Sequence, residues 1–189
     1  MDLSTWIHDL SGRWSSFDSG MKFAGQQLVY AAALILLALW TRRNGLRAVV
    51  AALVGAAVAL LLAQLLGAAW DRPRPFVAGH YAPLFPHGTD SSFPSDHLCA
   101  LGAITAGAWM GSRALGLLSA LLSLCVAFAR VYAGVHYSTD VLAGFGVGAL
   151  CGVAAWYALI PFMPLVDRVD AELQRWRLRP ASAAPARSA

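Results

Sequence analysis

Residues 46–69 read LRAVVAALVGAAVALLLAQLLGAA, an apolar run in which Arg47 and Gln64 are the strongly polar side chains. At about 1.5 Å of rise per residue, runs near 20 residues cross a hydrocarbon core roughly 30 Å thick. Four further stretches share this character, at 23–41, 97–112, 114–132 and 139–163. The fold class that follows is all-α, a polytopic membrane helix bundle of about five transmembrane helices. Composition agrees, since 58% of the 189 residues are hydrophobic and 13% are charged, against about 25% charged in soluble domains.

Ahead of these runs, residues 3–18 place Leu3, Trp6, Ile7, Leu10, Trp14 and Phe17 at helical spacing, with Asp2, His8, Asp9 and Arg13 between them. This pattern predicts an amphipathic interfacial helix over 1–20, and a peripheral packing helix fits it too. The N-terminus has neither the basic n-region nor the short apolar core of a cleavable signal, so the first spanning helix is expected to act as the address. Cys99, Cys125 and Cys151 are odd in number, far apart and inside apolar runs. They read as small core or lipid-facing side chains rather than as disulfide or metal ligands.

The net charge of +4 forms no basic stripe interleaved with aromatics, so nucleic acid is not an expected partner. Nine of the fourteen basic residues lie in the connectors 41–47 and 111–113 and in the tail, and five lie on the other side. By the positive-inside rule the connectors and the tail 167–189 are cytoplasmic and the N-terminus lies outside. The tail ends in Pro, Ala, Ser and Arg, a disordered composition. The connector 70–96 holds five prolines and cannot be one helix; a loop of this length inside a compact domain, here 21–166, is usually functional. Gly144, Gly148 and Gly152 are spaced for close helix packing rather than for a dinucleotide.

Three polar clusters remain, Asp71-Arg72-Pro73-Arg74-Pro75-Phe76, Phe93-Pro94-Ser95-Asp96-His97 and the segment from Arg130 to Asp140. All fall at the same membrane face on this topology, and ionisable groups near spanning helices mark function. Arginine forks suit phosphate oxygens, and Pro94-Ser95 resembles an N-cap whose N–H groups face an anion. His136 and Asp140 are four apart, so the carboxylate could hold one ring nitrogen and leave the other free to attack. His97 supplies a second imidazole, to protonate a leaving oxygen and then activate water. Taken singly, Arg72 reads as a snorkelling anchor, and His8, His80 and His87 are given no chemical role. A metal held by the two histidines and Asp140 would be repelled by the arginines, so no metal and no cofactor is expected.

These clusters resemble the three-part signature of the type 2 phosphatidic acid phosphatase family, related in its active site to vanadium haloperoxidases: Lys-x6-Arg-Pro, Pro-Ser-Gly-His and Ser-Arg-x5-His-x3-Asp. Arg74-Pro75 matches the end of the first part, Pro94 to His97 the second with one change, and Arg130, His136 and Asp140 keep the spacing of the third. The resemblance implies that His136 becomes a phosphohistidine, Asp140 orients it, His97 is the general acid, and Arg74, Ser95 and Arg130 bind phosphate without metal. Gly67 stands where the first-part Lys is expected, Asp96 replaces Gly, and Ala129 replaces Ser. Arg72 is the expected partial substitute for that lysine, and Asp96 joins it as an expected substrate contact.

The Pro-Ser-Asp-His form and the Arg-Val-Tyr-x-Gly-Val-His-Tyr stretch resemble the bacterial undecaprenyl-diphosphatase branch. That implies a prenyl diphosphate lipid substrate, membrane lipids as surroundings, and a bacterial inner membrane with the site facing outward. The alternatives are a phosphatidylglycerophosphate or phosphatidate phosphatase and, from another class, a lipid-phosphate transporter or binding protein that would need the arginines but not His136.

Overall fold

The structure, a computed structural model, describes residues 3–42 and 45–177. Leu46–Ala69 falls within helix α4, Gly45–Trp70. Its small residues Ala48, Ala52, Gly55, Ala59 and Ala63 recur on one buried face, while Leu53, Leu61 and Leu65 are exposed. Large apolar residues outside and small ones inside are the reverse of a soluble core and are what packing in lipid favours. The same inversion recurs in α7, Arg113–Tyr132, where Gly116, Ser119 and Ser123 are buried and Leu117, Leu121 and Leu124 are exposed.

Preceding α4 are α1 (Leu3–His8), α2 (Ser15–Gln26) and α3 (Ala31–Trp40), the last entered through a 3-10 turn at Leu28–Tyr30. After it come α5 (Pro75–Ala78), α6 (Asp96–Gly111), α7, α8 (Ser138–Ala158) and α9 (Met163–Arg177). Helix α6 is central, packed by α4, α7 and α8 and buried at most of its positions. Among the described residues, three helices are long and apolar enough to cross a membrane, those containing α4, α7 and α8; the bent pair 15–26 and 28–40, turning by 47°, would make a fourth. The expected stretch 97–112 forms the 16-residue α6, about 24 Å long at 1.5 Å per residue and so shorter than a full crossing.

The stretch 3–18 is not one helix. Gly12, at φ +80°, separates α1 from α2, and its N–H is taken by the Asp18 carboxylate at 3.1 Å. Glycine adopts that backbone without a Cβ penalty. Helix α1 packs on the bundle through the Ser4 hydroxyl, which accepts the Ser138 N–H at 2.9 Å, and α2 through Asp18, which accepts from the Tyr132 hydroxyl at 2.7 Å. Of the tail 167–189, residues through Arg177 continue α9, and the rest lies outside the described residues.

Three of the four glycines of α8, Gly144, Gly148 and Gly152, stack on the backbone of α6 one turn at a time. A Cβ on Gly144 would stand 2.6 Å from the Ser95 carbonyl oxygen, one on Gly148 2.0 Å from that of Cys99, and one on Gly152 2.7 Å from that of Ala103. Their absence of side chains brings the N-termini of α6 and α8 side by side, and the Ser95 N–H donates to the Asp140 carbonyl at 3.2 Å. At the opposite end of the bundle Arg47 pairs with Asp167, which ties α9 to the arginine-bearing connectors. The three cysteines are free; Cys99 is buried and Cys125 exposed.

Candidate active site

The loop from Asp71 to Ser95 folds back over the joined helix ends. Asp71 leaves α4 at φ +39°. The Ser92 N–H donates to the Arg72 carbonyl at 2.8 Å, and the Leu84 N–H to the Ala133 carbonyl at 3.0 Å, which docks the loop on the turn between α7 and α8. Gly134 sits in that turn at φ +74°, so close to Tyr81 and His8 that a Cβ would stand 2.8 and 2.9 Å from their rings.

Beneath the loop is a cavity of about 120 Å³ whose lining includes Arg74, Asp96, His97, Arg130 and His136. The three sequence clusters therefore meet. The His136 ring is 2% exposed. Its Nε2 lies 3.3 Å from Arg74 Nη1 and 3.2 Å from Arg130 Nη2. A guanidinium can only donate, so Nε2 is the unprotonated nitrogen. Nδ1 then carries the hydrogen and donates it to the Ser92 carbonyl at 2.9 Å. Burial pushes the ring's pKa down to about 4; Asp140 works against this, and the Arg130 and Arg74 charges reinforce it. The ring is neutral near pH 7.

Asp140 is fully buried, with Oδ2 3.7 Å from His136 Nδ1. Its shorter contacts are elsewhere, the Tyr137 N–H at 2.9 Å and Arg72 Nη1 at 2.7 Å. The sequence expectation that the carboxylate holds a ring nitrogen is thus modified: the Ser92 carbonyl takes the hydrogen bond, and Asp140 stands behind it as a negative neighbour paired with Arg72. The physical reason is position, because the third residue of α8 is placed to accept from the backbone at the helix start.

Arg72 departs further from expectation. It also donates to the Thr139 hydroxyl at 2.8 Å, and its guanidinium lies 3.9 Å over the Tyr137 ring. It does not line the cavity, and its contacts go instead to Thr139 and Asp140 at the start of α8. Position 67 itself faces a second cavity, of about 330 Å³, whose lining includes Asp71, Asp90 and Asp96. Asp96 borders both cavities and accepts from Gln64 at 3.2 Å. Ser95 occupies the N-cap position of α6, yet its buried hydroxyl caps nothing and has no partner. Arg74 and Arg130 are 4% and 3% exposed, and their buried Nε–H groups are likewise unpartnered. Three buried donors without acceptors at or beside one cavity are chemically suited to a polyoxygen anion.

Sequence reasoning missed three residues of this cavity, His87, Asp90 and Ser91. Asp90 accepts from Arg74 Nη2 at 2.9 Å; burial works to raise its pKa, but the Arg74 bond and charge hold it below the ordinary value. The length of the loop was the one available signal.

The PAP2 superfamily matches residues 48–163, a span that holds every one of these groups. The chain belongs to that superfamily. It is similar to the undecaprenyl-diphosphatase BcrC of Bacillus subtilis, at 35% identity, with 86% of this chain and 87% of the relative covered. It is also similar to the bacitracin transport permease protein BcrC of Bacillus licheniformis, at 29% identity over 83% and 79% of the two chains. The solved structure of LpxE from Aquifex aeolicus superposes with a TM-score of 0.67 at 25% identity, covering 81% of this chain and 92% of that one. The protein is a membrane lipid phosphatase of the PAP2 superfamily.

Proposed function

We propose that this phosphatase removes the terminal phosphate of a prenyl diphosphate, with undecaprenyl diphosphate as the leading substrate, through a phosphohistidine on His136. One observation carries the chemistry: a neutral imidazole with its unprotonated Nε2 between two buried guanidiniums. Arg74, Arg130 and the Ser95 hydroxyl bind the phosphoryl oxygens, and their donors turn from each other's surroundings to the anion when it arrives. The Nε2 lone pair attacks the terminal phosphorus. The bond from that phosphorus to the bridging oxygen breaks, its electron pair stays with the prenyl phosphate, and His97, which takes up a proton when the charge of the bound diphosphate offsets Arg74 and Arg130, supplies that proton to the leaving oxygen. Water then returns a proton to His97 while its oxygen attacks the phosphohistidine, releasing inorganic phosphate. Asp140 stabilises the positive charge that forms on His136.

The substrate class rests on the similarity to the Bacillus subtilis diphosphatase. The basic connectors and α9 at the end of the bundle opposite the site support a cytoplasmic tail and a site facing the exterior of a bacterial inner membrane. The deciding experiment is phosphate release in detergent with EDTA, from prenyl diphosphates, phosphatidylglycerophosphate and phosphatidate. Prenyl diphosphates should turn over fastest, and folded His136→Ala should release nothing. Preference for a phospholipid phosphate would replace the substrate; turnover by His136→Ala would overturn the covalent step. Loss of activity to EDTA with rescue by Mg²⁺ would replace the mechanism by metal-assisted hydrolysis.

A further inference from the structure

The cavity holds a third imidazole. His87 lies in the loop between the first two sequence clusters, outside the matched motifs, with its ring centroid 6.1 Å from that of His136. Its Nε2 is 2.7 Å from Arg130 Nη2, and its Nδ1 is 3.2 Å from the Gly88 carbonyl. Since a guanidinium is donor only, Nε2 accepts, and Nδ1 carries the hydrogen that the Gly88 carbonyl receives. Both ring nitrogens are assigned, and the ring is neutral. Burial, then the Arg130 and Arg74 charges, lower its pKa, against the Gly88 carbonyl and the Asp90 carboxylate.

Arg130 enters the cavity from the last turn of α7, with its guanidinium 5.8 Å over the Phe85 ring, and hydrogen-bond acceptors set how its planar head is turned about that contact. Nη1 is fixed by the Gly25 carbonyl at 3.2 Å. Nη2 has two acceptors, His87 at 2.7 Å and His136 Nε2 at 3.2 Å. Without His87 the remaining acceptor at that end is the lone pair that attacks phosphorus. We propose that His87 is a positioning residue for the phosphatase: it anchors Arg130 against the loop, keeps the guanidinium turned for a phosphoryl group, and draws its hydrogen bond away from His136. This rests on the phosphoryl-transfer reading of the cavity. It assigns the loop a catalytic task that does not require it to touch the reacting atoms.

The test compares His87→Gln, whose amide oxygen reaches the place of Nε2, with His87→Asn, whose shorter amide matches the Nδ1 side of the ring. Two readouts on purified full-length protein are used: equilibrium binding of orthovanadate, a phosphoryl mimic, and kcat/KM for a prenyl diphosphate. The Asn variant should lose about tenfold to a hundredfold in both, the range that goes with a hydrogen bond to a charged group. The Gln variant should recover most of the loss, and both variants should melt at the wild-type temperature. Wild-type values in His87→Asn, or equal losses in the two variants, would overturn the proposal. Failure of the wild-type protein to bind orthovanadate or release phosphate would overturn the phosphoryl-site reading itself, and this proposal with it.

Discussion

Arg72 reaches the reaction through Asp140, the fully buried carboxylate it contacts at 2.7 Å. Arg72→Ala should therefore lower kcat by about tenfold, the scale of one hydrogen bond to a charged group, with little change in KM. A rise in KM alone would make Arg72 a substrate ligand. Asp140→Asn should lower kcat more, by up to about 10⁴ where a carboxylate supports a catalytic histidine, while the Tyr137 N–H contact survives. His136 makes a second prediction, on stability. Its pKa falls from 6.5 to about 4 on folding, so in that window the unfolded chain binds a proton that the folded chain refuses. Stability then rises with pH across the window and falls as the protein is acidified. The melting temperature in detergent should be lower near pH 5 than near pH 7, and His136→Gln should weaken that dependence. An unchanged slope in this variant would mean that other groups set it.

At the scale of elements, α6 and α8 are held by contacts between backbones. A Cβ on Gly148 would meet a carbonyl oxygen at 2.0 Å, whereas one on Gly146, two residues away, meets nothing within 4 Å. Gly148→Ala should cost about 1–3 kcal/mol, as overpacking does, and should lower activity because separation of the helices pulls Ser95 from Asp140. Gly146→Ala should be neutral or slightly stabilising in the same thermal melts, since alanine is the better helix former. Equal effects at the two positions would remove glycine stacking as the device that joins the helix starts.

For the molecule as a whole, the basic connectors with α9 and the site occupy opposite ends of the bundle. A reporter fused after Ala189 should read cytoplasmic and one inserted near Gly88 external. The reverse would move the reaction to the cytoplasmic face and leave the site geometry intact.

The chain's own pattern was sufficient for the all-α membrane architecture, the glycine seam and the meeting of Arg74, His97, Arg130 and His136. Apolar period, run length and motif spacing are local properties, and helices carry them directly into three dimensions. The same reasoning could not find the break at Gly12, because an amphipathic period continues across a residue whose backbone alone changes hand. Nor could it find that Ser92 gives the acceptor for His136, that Arg72 turns to Asp140, or that His87 and Asp90 each take one of the two buried arginines. Those partners lie 16 to 68 residues apart in sequence. Only the path of the proline-rich loop over the helix ends brings them together, and that path is set by packing and by satisfaction of buried donors, which leave no periodic trace in the sequence.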